Sequence, residues 1–384
     1  MPELPEVESL AVFLRTALAG RVIEWAASAT FAVLKTYQPD LTALAGREFT
    51  GTARHGKFLD LMTGPAADGS GGPLHLITHL ARAGWLRWRD DLPEQPPRPG
   101  KSPLAFRLRF TDGSGFDLTE AGTHKRLAVY LVADPAEVPG ISTLGPDPLA
   151  DSFTEQTLAG LLAGRRTQIK GVLRDQRIIA GIGNAYSDEV LHAAKMSPFK
   201  LASSLTADEV AGLYAAMRSS LAEAVARSTG LAAGDLKAEK KAGLRVHGRA
   251  GQPCPVCGDT IREVSFADSA LQYCPTCQTG GKPLADRRLA APCGRPTESG
   301  FGHAGMAAHP VQWRTGGRRG PGHGGAVRAP GGSISRWSRG GGGHREPAGQ
   351  PFQRGRAALA RAAPHAGRPG SARGRPAGGP GPAP

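Results

Sequence analysis

The 384-residue sequence has no stretch apolar for long enough to cross a bilayer, and its acidic start has no apolar signal run. A soluble, cytoplasmic protein with no membrane partner is therefore expected, nucleoid-associated if the source is bacterial. Cysteine is scarce, with five residues in all, and disulfides are not expected in a chain that is not exported. The length is ample for a buried core and for two or three domains. Residues 290–384 lack lysine altogether and carry only Glu298 and Glu346 as acids, against fourteen Arg. That segment supplies +12 of the formal charge of +14, leaving +2 for everything before it. Net charge therefore says little about the folded part, and local clusters must carry any argument for a nucleic-acid partner.

Four of the five cysteines are paired, as Cys254/Cys257 and Cys274/Cys277, with 16 residues between the pairs. Two Cys-x-x-Cys units at this spacing match the zinc-ribbon template, and four thiolates suit one tetrahedral, structural zinc ion. A reduced or redox-active pair is the plainer alternative, but it leaves the second pair unexplained.

The apolar pattern divides the chain. Leu10, Phe13, Leu14, Ala17 and Leu18 recur at helical steps over residues 5–19, and Gly20 follows as a stop. Strand character then runs over residues 21–30, 48–54, 57–62, 74–80, 85–88, 104–110 and 127–132, with a hairpin signal at Asp112-Gly113. Several strands without intervening helices imply a sandwich or barrel, here a domain over residues 1–133. Residues 134–152, rich in Pro and Gly, read as a linker. A helical domain follows over 153–241: helices at 153–163 and 168–176, a Gly-containing turn at 178–183, a helix that Asn184 could cap, and a capping box at Thr206 and Glu209. A zinc-bound hairpin occupies 242–288. Residues 289–384 collapse into Gly, Pro, Ala and Arg, a low-complexity composition expected to stay disordered and resembling an out-of-frame reading of a GC-rich gene.

The N-terminal stretch Met1-Pro2-Glu3-Leu4-Pro5-Glu6 has chemistry available only at a chain start. Removal of Met1 leaves Pro2 with a free secondary amine, which can attack a carbonyl carbon to form a Schiff base. Glu3 beside it could shuttle protons. The plainer reading is that Pro2 permits Met removal and Pro5 starts a helix.

The four separated motifs point one way. Met1 to Glu6, Arg54-His55-Gly56-Lys57, Ala180-Gly181-Ile182-Gly183-Asn184-Ala185-Tyr186-Ser187-Asp188-Glu189, and the segment closing on Tyr273-Cys274-Pro275-Thr276-Cys277-Gln278 resemble motifs of the formamidopyrimidine-DNA glycosylase / endonuclease VIII family, in that family's order. The resemblance spans residues 1 to about 288 and implies an α+β, multidomain fold: an N-terminal β-sandwich with a flanking helix, a helix–two-turn–helix domain and a zinc-finger hairpin. It implies a monomeric bifunctional DNA glycosylase/AP lyase that excises oxidised bases from damaged double-stranded DNA and cuts the strand by β/δ-elimination. By the same resemblance Pro2 would be the nucleophile, Glu3 the general acid/base, Lys57 a proton donor or phosphate ligand, and Asn184 a phosphate ligand; plain alternatives are an exposed strand lysine and an ordinary cap. The sequence departs from the family at three places. His79-Leu80-Ala81-Arg82-Ala83-Gly84 has Arg82 where the family has a wedging Met, residues 119–126 do not match its Arg- and Phe-bearing loop, and Ser269 replaces the hairpin Arg. No role carries over to these positions. Two other classes compete: a DNA-binding relative without base excision, disfavoured by intact Pro2, Glu3 and Lys57, and a zinc-ribbon RNA-binding protein, which the terminal amine fits poorly.

A chain ended after Arg288 is expected to keep its lyase activity and unfolding midpoint. At most it loses nonspecific affinity for DNA and part of its salt dependence. Loss of a cooperative unfolding transition would show that the removed residues belong to the fold.

Overall fold

The computed structural model describes residues 1–285 except 99, 101, 267 and 268; the tail expected at 289–384 lies outside the described residues. Helix α1 (Leu4–Ala17) opens the chain, with Pro5 in its first turn, where a missing N–H costs no bond. Its buried stripe of Val7, Leu10, Ala11 and Leu14 faces eight strands. These are β1 (Ile23–Ser28), β2 (Phe49–His55), β3 (Phe58–Thr63), β4 (Leu74–His79), β5 (Gly84–Arg89), β6 (Leu104–Phe110), β7 (Gly115–Glu120) and β8 (Ala128–Val132). They form two antiparallel four-stranded sheets, ordered β1-β6-β7-β5 and β2-β3-β4-β8. Leu59, Leu61 and Leu76 from one sheet and Phe106, Leu108 and Leu118 from the other share a core with α1. The expected sandwich with a flanking helix is what forms.

Strand β7 has no counterpart among the strands expected from sequence. Its Asp117, Thr119 and Glu120 break any apolar run, yet it pairs with both β6 and β5. The buried Asp117 is tolerated because Arg107, across the ladder, donates to both its carboxylate oxygens at 2.7 and 3.0 Å.

The segment expected to be a linker, 134–152, contains a 3-10 turn (Pro135–Glu137) and the single-turn helix α2 (Pro139–Ser142). Helices α3 (Glu155–Leu162), α4 (Ile169–Arg174), α5 (Asn184–Ala193), α6 (Ala207–Ser228) and α7 (Leu236–Gly243) follow. Thr206 caps α6, its hydroxyl accepting from Glu209 N–H while Glu209 accepts from Thr206 N–H. Asn184 is the first helical residue of α5, and Gly183 holds the cap position instead. Helix α7 was not foreseen as an element, because only Leu236 of its eight residues is buried and no apolar stripe marks it. The hairpin β9 (Arg262–Ser265) and β10 (Ala270–Tyr273) leads to α8 (Pro275–Thr279).

Two cores hold the start of α1 from opposite sides. Leu4 is fully buried among Ile179, Ile182, Leu213 and their neighbours in the helical core. Ala233 and Leu236, from the far end of that helical region, join the sandwich core, and Trp85 Nε1 donates to Ala233 O at 2.9 Å. Leu4 N–H donates to Gly181 O at 3.0 Å. Gly181 has φ +88°, and a Cβ there would stand 2.7 Å from the Leu4 side chain, so the contact requires glycine.

Leu4→Ala removes the bolt between α1 and the helical core. It should cost about 2–5 kcal/mol of unfolding free energy in a urea titration. A loss below about 1 kcal/mol would mean that the site collapses freely and Leu4 is not what fixes the N-terminus.

Candidate active site

Pro2, Glu3 and Lys57 line one cleft of about 930 Å3, with Arg82, Arg174 and Asn184 on its walls. Lys57 arrives on the tight β2–β3 turn. Arg54, at the other side of that turn, is anchored to Glu8 of α1 at 2.7 Å and to Asp147 at 2.6 Å. Pro2 and Glu3 arrive because the first residues of α1 are clamped as described.

The Glu3 carboxylate is 1 % exposed and accepts three backbone N–H groups from the start of α5: Gly183 at 2.7 Å, Ala185 at 3.0 Å and Tyr186 at 3.2 Å. A Cβ on Gly183 would stand 2.4 Å from the Glu3 carboxyl carbon, so only glycine lets the helix end approach. Burial by itself would raise the Glu3 pKa. Lys240, Lys57 and the α5 amides outweigh that penalty and hold the carboxyl below its ordinary value. Glu3 is therefore ionised at neutral pH. Lys57, 8 % exposed, is pushed below the usual lysine value by burial, with Glu3 pulling the other way. Burial and then Lys57 push His79 down to about 4, leaving it neutral near Lys57. The terminal amine of Met1 is lowered too, by burial first and then by Lys240, against Glu3 and Glu6.

A ring of residues the sequence reading missed surrounds this set. Glu6 accepts from Glu3 N–H at 2.8 Å, from Tyr186 Oη at 2.7 Å and from Lys240 Nζ at 2.6 Å. Burial, then Glu6, pushes the Tyr186 phenol well above its ordinary value, so it stays a donor. Lys237, Lys240 and Lys241 of α7 all line the cleft. Their Lys-x-x-Lys-Lys spacing, one helix face, was the available signal.

Helix α5 also carries the finger. Asn184 Nδ2 donates to Ala270 O of β10 at 2.6 Å, while its Oδ1 is buried without a partner. The amides of Gly183, Ala185 and Tyr186 on either side of it are occupied by Glu3. Asp188 accepts from the buried Lys170 at 2.6 Å, lies 2.7 Å from His247 Nδ1, and takes Gln272 N–H at 3.2 Å. Glu189 accepts the N–H groups of Arg245, Val246 and His247 at 2.7–3.0 Å. Sequence reading gave these two acids no role, since acids inside a helix signal nothing by themselves.

Cys254, Cys257, Cys274 and Cys277 come together, their sulfurs all within 4.8 Å of one another. Thiolates around a tetrahedral zinc, at 2.3 Å from the ion, stand about 3.8 Å apart, so the set fits. Cys254–Cys277 and Cys257–Cys274 are separated by 3.9 and 3.3 Å. His192 Nε2 of α5 lies 3.3 Å from Cys254 Sγ, close enough for its N–H to steady that thiolate.

Known proteins share this architecture. Residues 1–125 match the formamidopyrimidine-DNA glycosylase N-terminal domain, 144–233 the formamidopyrimidine-DNA glycosylase H2TH domain, and 251–280 the zinc finger found in FPG and IleRS. The finger, with its four clustered cysteines, holds one structural zinc. A formamidopyrimidine-DNA glycosylase of Symbiobacterium thermophilum is 36 % identical over 305 residues, 75 % of this chain and 93 % of that protein. An uncharacterized formamidopyrimidine-DNA glycosylase-like protein of Mycobacterium tuberculosis is 61 % identical over 155 residues, 40 % of this chain and 97 % of its own. The crystal structure of the MutM (Fpg) protein of Thermus thermophilus superposes with a TM-score of 0.60 at 30 % identity, covering 73 % of this chain and all of that one. Lactococcus lactis Fpg in complex with an oxidized pyrimidine containing DNA gives 0.63 at 27 % identity, covering 72 % of this chain and all of that one. Matching domains in the same order, together with relatives matched over nearly their whole length, place this chain in the formamidopyrimidine-DNA glycosylase family of DNA-repair proteins.

Proposed function

We propose that the protein is a bifunctional DNA glycosylase/AP lyase that excises oxidised bases from double-stranded DNA in base excision repair, acting as a cytoplasmic monomer, nucleoid-associated if the source is bacterial. The observation that carries this reading is a buried, ionised Glu3 held beside the N-terminal amine and Lys57 in one basic cleft. Once Met1 is removed, the Pro2 nitrogen attacks C1′ of the damaged nucleotide and the base leaves. Being an anion, Glu3 takes the proton that appears on the attacking nitrogen and returns it to the ring oxygen as the sugar opens. The resulting iminium acidifies the C2′ proton, so β- and then δ-elimination break the backbone on either side. Lys57, neighbour to Glu3 and depressed by burial, supplies a proton or holds the phosphate at the lesion.

A nucleotide stacked in a duplex hides its C1′, so it must be turned out into the cleft. The cleft lies between the sandwich that carries Lys57 and the helical region that carries Asn184, with room for a single extruded nucleotide and cations on both walls. Asn184 spends one of its two amide hydrogens on Ala270 O; we assign the other to a DNA phosphate. The zinc is structural in this scheme, because four cysteines leave no open position for chemistry. The domain boundaries that suit the scheme are a catalytic sandwich over 1–133, a linker over 134–152, a helical domain over 153–241 and a finger over 242–288.

Cys257→Ser should lose zinc in metal analysis and bind abasic-site duplex more weakly, because the hairpin that Asn184 contacts would no longer fold. Zinc-free protein that binds this DNA normally would contradict that role.

Retention of Met1 buries the nucleophile behind a peptide bond and should abolish borohydride trapping on abasic DNA. Glu3→Gln should slow base release by about a hundredfold to ten-thousandfold. It should harm strand cleavage at a ready-made abasic site less. Strand cleavage at the wild-type rate with Met1 retained would remove the amine from the mechanism.

A further inference from the structure

Lys240 occupies a position that the scheme above leaves unused. Its side chain is 14 % exposed, and Nζ donates to Glu6 Oε2 at 2.6 Å and to Met1 O at 3.0 Å while lying 4.8 Å from the centroid of the Tyr186 ring. Met1 O belongs to the peptide bond whose nitrogen becomes the Pro2 amine. Two bonds, together about 2.6 Å, separate that oxygen from that nitrogen, so Nζ stands within about 6 Å of the Pro2 nitrogen. Removing Met1 takes away one acceptor of Lys240 and leaves the other, Glu6, which Glu3 N–H and Tyr186 Oη hold in place. The ammonium therefore has a fixed seat next to the freed amine.

We infer that Lys240 is a positioning residue for the reaction: clamped on α7 by Glu6, its ammonium keeps the neighbouring Pro2 amine unprotonated and ready to attack. The inference rests on the reading of Pro2 as nucleophile. A cation a few ångströms from an amine disfavours a second positive charge there. The other charged groups around the terminus act in both directions. Glu3 and Glu6 oppose the effect, Glu3 while accepting the α5 amides and Glu6 while paired with Lys240. Lys57 from the β2–β3 turn, Arg174 from the end of α4 and Lys237 from α7 add positive charge to the same cleft, and Tyr186 of α5 stays neutral. The terminal amine of Met1, one residue earlier, already lies below its ordinary value through burial and then Lys240.

The sign of the effect follows directly. Without the Lys240 charge the amine pKa rises, so less free base is present at neutral and acidic pH, while nothing changes once the pH exceeds both values. The test is single-turnover borohydride trapping of Met1-processed protein on an abasic-site duplex, with enzyme saturating, from about pH 5.5 to about pH 9. K240Q removes the charge and keeps an N–H donor on a side chain one atom shorter. It should move the inflection up by about one to two pH units and slow trapping about tenfold to a hundredfold at the acidic end, converging with wild type at the alkaline end. K240R should restore the wild-type profile. Thermal unfolding of each variant checks that it folds, and saturating enzyme removes any loss of affinity for phosphate. A uniform loss at every pH, or a K240Q profile that coincides with wild type, overturns the inference while leaving Pro2 as nucleophile. Absence of any adduct in the processed wild type overturns the Pro2 reading and this inference together.

Discussion

The burial of the Glu3 carboxylate against the first turn of α5 is the constraint on which the remaining architecture depends. An ionised carboxyl group removed from water is costly unless its oxygens are hydrogen-bonded and its charge is met. Here three amides 180 to 183 positions along the chain supply the bonds, and the positive end of a helix together with Lys57 and Lys240 supplies the charge. The arrangement tolerates no side chain at Gly183 and none at Gly181. It also requires that α1 and α5 meet end to end, which is why Leu4 sits in the helical core while the rest of α1 packs on the sandwich. The residue proposed to move the proton and the joint between the two halves of the fold are one feature.

From that joint α5 reaches outward along its ten residues. Tyr186 faces Glu6, Asn184 and Asp188 hold the β9–β10 hairpin, Glu189 collects three backbone amides after α7, and His192 touches the Cys254 sulfur. Zinc, α7 and the N-terminal amine are thus referred to a single rigid element. A loss of metal need not act at the cleft directly. The hairpin that the sulfurs anchor is bonded to α5 through Gln272 N–H on Asp188 and Ala270 O on Asn184, next to the amides that hold Glu3.

What the sequence disclosed follows from how local each signal is. The zinc set rests on two short spacings, and α1, α6 and seven of the eight sandwich strands rest on apolar period or turn residues. Strand β7 was lost because Asp117 is paired by a residue ten positions away across the ladder, a contact no periodicity encodes. Helix α7 was lost for the opposite reason: it buries almost nothing, and its helical state serves to line up lysines. Pro2 and Glu3 were legible as chemistry and Lys57 only through the family resemblance, but their meeting depends on contacts between residues as far apart as Leu4 and Gly181. Glu6 shows the limit most clearly. Its place three residues after Glu3 reads as a helix start, whereas its carboxylate also gathers Tyr186 and Lys240 from two other helices.

The position of Glu3 at the start of α5 bears on how that helix end can meet an anion. Three of the amides there, those of Gly183, Ala185 and Tyr186, already donate to the carboxylate, and a negative charge brought up to them would meet Glu3 itself. Under the proposed reading, phosphate binding in this cleft falls chiefly to side chains: the second amide hydrogen of Asn184 and the cations that rim the cleft, Arg174, Lys237, Lys241 and Arg249 among them. Side-chain cations confer affinity that falls steeply with salt. On the same reading, the reacting atoms are placed by the terminal amine and the carboxylate beside it, which the α5 amides and Glu6 hold at the start of α1.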